Sequence, residues 1–256
     1  MTKQIKRAPI KIRLYVPEPY AQGAVVSLNE NQSHYLMHVM RVQLGDTIAI
    51  FNGEDGLWAA SVSALHKKHT QLQLDAPLLP QANSPDVWLA YAPIKSKTEL
   101  VAEKAVELGV AQLHVVYTRH VVVKAINEDK LRAHVIEACE QCERLDVPPI
   151  IEHKDLGWLL GQWPKDRLLL YADESGGGVV LKELLPTLPG GSYGVLIGPE
   201  GGFSADERQL LKGQPFVKPF SLGPRVLRAD TAAIAALACI QAWCGDWHIP
   251  SAFEAT

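Results

Sequence analysis

The feature that most constrains the fold of this sequence is a change in hydrophobic period near residue 85. Before it stand short β-rich runs, among them "IRLYV", "TIAIF", "LWAASVSAL" and "TQLQLD", with the turn signal "NGEDG" between two of them. After Pro85, strand-like runs alternate with amphipathic helical runs, which indicates an α/β fold with a mostly parallel sheet covered on both faces. The segment "LPQANSP", residues 79–85, has two prolines and no apolar period, so we predict two domains, 1–83 and 84–256.

The first domain is predicted to be a short antiparallel barrel with one helix. The helix lies in "NQSHYLMHVMR", which places Leu36, Val39 and Met40 on one face, and "LGD" at 44–46 ends it. This domain carries 8 Lys and Arg against 6 Asp and Glu, whereas residues 84–256 carry 17 against 22. Five of the cations fall in "MTKQIKRAPIKIR", which is interpreted equally well as a frayed terminus or as an arm that faces RNA.

The second domain breaks into unusual loops at three predicted strand ends. These are "LLLYADES", "VLIGPEGG" and "FSLGPRVLRADT", and ligands of parallel sheets bind at the carboxyl ends of strands. None of the loops holds the lysine and hydroxyl that a triphosphate requires. Ser204 and Glu207 form a capping-box pattern after the second loop, and "SKTELVAEKAVELG" predicts a capped helix that ends at Gly109.

The third loop concentrates polar side chains just before an almost wholly apolar helix that starts near Asp230. Arg225, Arg228, Asp230 and Thr231 fit either of two interpretations. In the first, Asp230 caps the helix and pairs with Arg228. In the second, these side chains take part in binding or catalysis. The second glycine-proline loop favours chemistry. Arg119 follows the "LHVVY" strand together with a histidine, so it is predicted to face the same rim.

Several other patterns are weaker. Cys139 and Cys142 form one C-x-x-C within a helical run and lack a second pair, so we predict no metal site. His34 and His38 lie one helical turn apart without the glutamate of a metalloprotease motif. The tip 66–69, "HKKH", is either solvated or in contact with phosphate. The net charge is −3, no apolar leader follows Met1, and the longest apolar run contains Gln241, which together predict a cytoplasmic protein.

Two blocks, "VLIGPEGGFSADE" and "SLGPRVLRADTAA", resemble the signature of the RsmE family, the uridine-N3 methyltransferases of small-subunit ribosomal RNA. Further blocks that resemble the family are "RLYVPEP", "HYLMHVMRVQLGD", "VAEKAVELGV" and "IEACEQCERLDVP", so the resemblance spans residues 12–245 in order. One departure concerns the third loop. The family usually has Thr-Glu-Thr where this chain has Ala229-Asp230-Thr231, which shortens the carboxylate by one methylene.

The resemblance implies a PUA-like RNA-binding barrel over 1–83 and a SPOUT methyltransferase domain over 84–256. It also implies a trefoil knot, one of the rare exceptions to unknotted topology, and a homodimer. It implies S-adenosylmethionine as cofactor, held largely by backbone groups of the three loops. The implied cofactor-binding residues are Tyr171, Ala172, Ile197, Gly198, Pro199, Glu200, Gly201, Gly202, Ser221, Leu222, Gly223, Val226, Leu227, Arg228, Thr231 and Ala232.

The implied reaction is methyl transfer to N3 of one uridine in the decoding region of 16S ribosomal RNA in the 30S subunit. Arg228 then stabilises the charge that develops on the uracil, and Asp230 accepts a proton or orients Arg228. Two other hypotheses remain open, a SPOUT enzyme acting on another RNA atom and a non-catalytic RNA-binding protein. The RNA contacts that we predict are Arg13, Arg41, Lys67, Lys68, Arg119 and Arg225.

Overall fold

The computed structural model describes residues 10–188 and 192–249. Its internal contacts divide the chain into two compact units. The first comprises Met1–Asn83 and Cys139–Val147, and the second comprises Ser84–Ala138 and Pro148–Thr256. The short segment 139–147 therefore belongs with the first unit, although it lies within the sequence of the second.

The first unit contains one five-stranded sheet. Its strands are β1 (Arg13–Tyr15), β2 (Val25–Ser27), β3 (Thr47–Phe51), β4 (Leu57–Ala64) and β5 (Gln71–Leu79), in the order β1-β3-β4-β5-β2. The expectation of a wholly antiparallel sheet is wrong at one edge, because β1 pairs with β3 in parallel while the other pairs are antiparallel. The alternating residues of these strands meet in one core, which includes Ile48, Ile50 and Leu72.

The helix of this unit is irregular. Helix α1 (Glu30–His34) begins with a capping box between Asn29 and Gln32, and continues as a π-helical turn over Tyr35–Val39. A π turn holds more residues than an α turn, so it rotates the residues after it. Leu36 is buried as predicted, but Val39 is 60% exposed and not on the buried face. The helix also ends before 44–46, at Arg41, whose φ of 54° lies in the left-handed region.

The second unit contains a seven-stranded, wholly parallel sheet, which confirms the predicted α/β class. Its strands are β6 (Val87–Tyr91), β7 (Gln112–Val116), β8 (Ile150–His153), β9 (Leu168–Ala172), β10 (Val179–Val180), β11 (Tyr193–Ile197) and β12 (Val217–Ser221), in the order β10-β12-β9-β11-β6-β7-β8. Its central strands are almost fully buried, as expected of a sheet covered on both faces.

Helices connect these strands. They are α2 (Thr98–Glu107), α3 (Glu128–Cys142), α4 (Leu156–Gln162), α5 (Leu181–Leu184), α6 (Ala205–Lys212) and α7 (Ala229–Cys244). Gly109 follows α2 with a φ of 72°, as predicted for a helix-ending glycine. The predicted capping of α2 is wrong at its start, because Lys97 occupies the N-cap position without a side-chain capping bond. The capping box of Ser204 and Glu207 is confirmed at α6. No helix within the described residues is long and apolar enough to cross a membrane.

Candidate active site

The three unusual loops do meet at one edge of the sheet. They follow β9, β11 and β12, which lie side by side in the order β12-β9-β11. Since all three strands are parallel, their carboxyl ends lie at the same edge. The geometry therefore brings together segments that are separated by about fifty residues in the sequence.

A cavity of about 290 Å³ opens at the ends of β9 and β12. Its lining comes from the loops after these two strands and from the first turn of α7: Ala172, Asp173, Glu174, Gly176, Phe220, Ser221, Leu222, Gly223, Pro224, Arg225, Val226, Leu227 and Ala232. Gly223 has a φ of 103°, which favours glycine in the turn, and its N–H donates to Ser221 Oγ over 3.2 Å.

The lining includes part of the predicted cofactor set. Ala172, Ser221, Leu222, Gly223, Val226, Leu227 and Ala232 contribute to the wall. Residues 197–202, Tyr171, Arg228 and Thr231 do not, so their contact with a cofactor remains a prediction. Tyr171 is fully buried behind the wall because side chains alternate along β9, and burial raises the pKa of its hydroxyl to about 12.

The sequence prediction missed two carboxylates that line the cavity, those of Asp173 and Glu174. Asp173 is buried, and its Oδ1 accepts from the N–H of Ser175 over 3.0 Å and from its hydroxyl over 2.6 Å. Glu174 Oε1 accepts from the N–H of Phe203 over 3.0 Å. Glu174 therefore joins the cavity wall to the loop after β11. The one sequence signal for these acids is the "ADES" that follows an apolar strand.

The loop after β11 is held by residues that follow β7, two strands away in the sheet. His120 Nδ1 lies 3.0 Å from the carbonyl oxygen of Gly201, and the N–H of Arg119 donates to Glu207 Oε1 over 2.8 Å. The other oxygen of Glu207 accepts from the N–H of Ser204, which completes the capping box. This glycine-rich loop is thus fixed on both sides, at the rim predicted for Arg119 and His120.

The first turn of α7 differs from the expected arrangement. Arg228, not Asp230, occupies the N-cap position, with extended φ and ψ of −66° and 153°. Asp230 lies in the first helical turn and pairs with Lys97, whose Nζ is 2.5 Å from Oδ2. This ammonium group holds the pKa of the Asp230 carboxyl below its usual value. The hypothesis that Asp230 pairs with Arg228 is therefore wrong in this structure. Asp230 does not occupy the N-cap position, but backbone N–H groups of Asp230 and Thr231 also lower the pKa of its carboxyl, so the carboxylate still interacts with the first turn.

Lys97 is a third residue of this site that sequence reasoning overlooked. It stands 133 positions before Asp230 in the chain, and no local pattern signals a contact over that separation. The exposed side chain of Arg228 forms no ion pair among the described residues. The guanidinium group of Arg228 is therefore open to a substrate.

The predicted RNA contacts differ in their availability. In the first unit, Lys67 and Lys68 lie at the exposed tip between β4 and β5, and Arg41 is also exposed. Arg13 is different, because only 10% of its side chain is exposed and it pairs with Glu143 over 3.3 Å. In the second unit, Arg119 and Arg225 are exposed.

The remaining candidates show no sign of metal chemistry. Cys139 and Cys142 lie within α3 as free thiols. The rings of His34 and His38 lie 4.6 Å apart between centroids. Among the described residues, no group of three or more histidine, cysteine or acidic side chains is arranged to hold a metal ion.

Comparison with known proteins gives consistent matches. A family model described as an RNA methyltransferase domain matches residues 81–241, and one described as an RNA methyltransferase PUA domain matches residues 28–75. The chain is 33% identical over 233 residues to the ribosomal RNA small subunit methyltransferase E of Rickettsia conorii, covering 90% of this chain and 94% of the relative.

Two solved structures resemble the whole fold. One is a methyltransferase of Legionella pneumophila with bound S-adenosylmethionine, 32% identical, with a TM-score of 0.82 and coverage of 92% and 98%. The other is the ribosomal RNA small subunit methyltransferase E of Neisseria gonorrhoeae bound to the same cofactor, 27% identical, with a TM-score of 0.84 and coverage of 92% and 99%.

Proposed function

Because this chain belongs to the ribosomal RNA small subunit methyltransferase E family, we propose that it methylates 16S ribosomal RNA with S-adenosylmethionine as methyl donor. The observation that carries the proposal is the cavity at the ends of β9 and β12, built from the loop sequences that resemble this family. The target atom that we propose is N3 of one uridine in the 30S subunit. Ribosomal RNA as substrate also implies action in the cytoplasm.

The cavity suits S-adenosylmethionine chemically. Leu222 and Leu227 provide apolar residues for a flat base, and every residue from 221 to 227 contributes to the lining. Asp173 and Glu174 place negative charge in the lining, which complements the positive sulfonium and amino groups of this cofactor. When bound there, the cofactor supplies an electrophilic methyl group.

Arg228 is the proposed catalytic residue. Methyl transfer to N3 requires loss of the N3 proton to solvent water, which leaves negative charge on the uracil ring. The Arg228 guanidinium follows Leu227 of the cavity wall, has no ion-pair partner among the described residues, and provides a positive charge for that ring. The target base must be unstacked to reach the cavity.

The lowered pKa of Asp230 makes this carboxylate a weak proton acceptor. Of the two roles considered for Asp230, we therefore propose neither proton transfer nor direct orientation of Arg228, because the carboxylate pairs with Lys97 instead.

The first unit is proposed to bind the RNA as a PUA-like barrel. Arg41, Lys67 and Lys68 are exposed there and suit phosphate contacts. The pairing of Arg13 with Glu143 argues for a structural role of that arginine instead.

For the second unit we propose a SPOUT fold with a trefoil knot. Strand β12 lies on one side of β9, and β11 lies on the other. Helix α7 follows β12 in the chain but packs on β11 and α2, which supports such threading. We also propose a homodimer. Trp243 near the end of α7 is 58% exposed, and burial against a second copy would remove that apolar surface from water.

The proposal is tested with 30S subunits from a strain that lacks the matching enzyme. The purified protein and S-adenosylmethionine are added, and the nucleosides of the digested 16S RNA are identified by mass spectrometry. We expect one additional 3-methyluridine per subunit. A methyl group on a ribose oxygen or on another base would replace the proposed target atom, and binding to the subunit without any methylation would contradict the enzymatic function.

A further inference from the structure

The contact between Lys97 and Asp230 has no role in the function proposed so far. It joins the loop before α2 to the first turn of α7, and 34% of the Lys97 side chain and 15% of the Asp230 side chain are exposed. Surface ion pairs usually contribute little to stability. The position of the Lys97–Asp230 pair is more informative, because Asp230 lies between Leu227 and Ala232, which both line the cavity.

The loop that carries Lys97 is well fixed. The hydroxyl of Thr98 accepts from the N–H of Ile94 over 3.0 Å and donates to its carbonyl oxygen over 2.9 Å. The N–H of Lys97 donates to the same carbonyl over 3.1 Å. Ser96 has a φ of 62°, an uncommon conformation for a residue with a side chain. The ammonium group of Lys97 is therefore presented to α7 by a tight turn.

Asp230 is also the acidic side chain nearest in sequence to Arg228. Arg228 stands at the N-cap position with extended φ and ψ, only two residues before this carboxylate. In the structure, the ammonium group of Lys97 forms an ion pair with that carboxylate. Consequently Arg228 has no ion-pair partner within the described residues, and its charge is available to a ligand.

We propose that Lys97 is a positioning residue, which neutralises Asp230 so that the Arg228 guanidinium remains free for the substrate. The inference rests on the proposed function, since it assumes that Arg228 acts on the uracil. Without Lys97, Asp230 takes Arg228 as its counter-ion, and the positive charge is withdrawn from the substrate. The role is electrostatic and local, and it does not require Lys97 to touch the substrate.

Four variants separate this role from simple stabilisation. Lys97→Met removes the charge and keeps most of the side-chain length, Lys97→Arg keeps the charge, and Lys97→Met combined with Asp230→Asn removes both charges. Lys95→Met is the matched control, because Lys95 lies in the same loop and is exposed. Thermal melting of each variant checks that it is folded.

The first readout is single-turnover methylation of 30S subunits at saturating cofactor. For Lys97→Met we expect the rate to fall by roughly tenfold to a hundredfold, with the cofactor Kd changed by less than about threefold. Lys97→Arg and Lys95→Met should stay close to the wild-type rate. The double variant should be faster than Lys97→Met, because the acid that captures Arg228 is gone. A merely stabilising pair would show the same loss and recovery in the melting temperatures, so recovery of the rate at unchanged melting temperature identifies the electrostatic role.

The second readout does not depend on activity. Phenylglyoxal modifies accessible arginine side chains, and peptide mass spectrometry reports each position, with the exposed Arg225 as internal reference. We expect Arg228 to react in the wild type, to be protected in Lys97→Met, and to react again in the double variant.

The results that would overturn the inference are specific. They are a double variant no faster than Lys97→Met, a Lys97→Met rate equal to that of the wild type, or equal reactivity of Arg228 in all variants. If the wild-type protein transfers no methyl group to the subunit, the proposed function fails, and the phenylglyoxal pattern alone still decides whether Lys97 keeps Arg228 free.

Discussion

Mild acid should destabilise the second unit through a buried pair of histidines. His114 in β7 and His153 in β8 are 5% and 3% exposed, and His114 Nδ1 lies 2.9 Å from His153 Nε2. The ring of His114 stacks on Trp88 at 5.0 Å between centroids. Burial lowers the pKa of His114 to about 3 and also lowers that of His153, because a charged imidazole loses its hydration in this position.

The magnitude follows from linkage. A histidine with a depressed pKa contributes stability that is fully present above its unfolded pKa, near 6.5, and that is lost as the pH falls towards the folded value near 3. For one such group, lowering the pH from 7.5 to 5.5 should reduce the free energy of unfolding by about 1.4 kcal/mol. The lowered pKa of His153 acts in the same direction. Carboxylates contribute little in this window, since they titrate below it.

Urea denaturation at pH 7.5, 6.5 and 5.5 measures this dependence directly. His114→Phe should lose roughly 1 kcal/mol at pH 7.5 through the broken hydrogen bond, yet its stability should fall less steeply with pH. His69→Gln is the matched control, because His69 is exposed at a loop tip and should leave the slope unchanged. A wild-type stability that is the same at pH 7.5 and 5.5 would refute the reasoning, and so would an unchanged slope in His114→Phe.

Three further predictions concern catalysis, packing and RNA binding. Arg228→Ala should lower single-turnover methylation by about 10²–10³ while cofactor affinity measured by calorimetry stays nearly constant, and near-normal turnover would end the proposed mechanism. Gly194→Ala should cost about 1–3 kcal/mol in thermal unfolding, because the added methyl would overlap the buried ring of Trp163. Gly161→Ala is its control, since the space around Gly161 is open. The affinity for RNA should depend mainly on residues 1–83 and fall with salt at a log–log slope of roughly −2 to −4, so full activity of residues 84–256 alone would contradict this assignment.

Much of the second unit could be predicted because its elements have clear local signals. The apolar run before Gly198 is fully buried as β11, and the Ser204 and Glu207 pattern does start α6. The meeting of three loops also follows from a general rule, since parallel strands end at one edge. These features depend on residues close together in the sequence, so the pattern alone is enough to place them.

The features that escaped prediction arise from contacts or geometry without a local signal. The π-helical turn moves Val39 to the surface, whereas an α-helical period would bury it. The short strands β2 and β10 have only three and two residues, too few for a hydrophobic period. Lys97 resembles any surface lysine in sequence, and only the return of α7 to the loop before α2 gives it a partner.

The placement of Arg228, the proposed catalytic residue, depends on how α7 is held. Lys97, just before α2, binds the start of α7, and the carbonyl oxygen of Leu108, just after α2, accepts from Gln241 Nε2 over 2.5 Å near the end of α7. Gln241 is 1% exposed, so its hydrogen bond is shielded from water. Between these contacts, α7 packs against α2 through small buried residues such as Ala233 and Ala236. Polar contacts at both ends thus fix α7 lengthwise along α2. Because residues 222–228 lead directly into this helix, the same contacts set the position of the cavity wall and of Arg228.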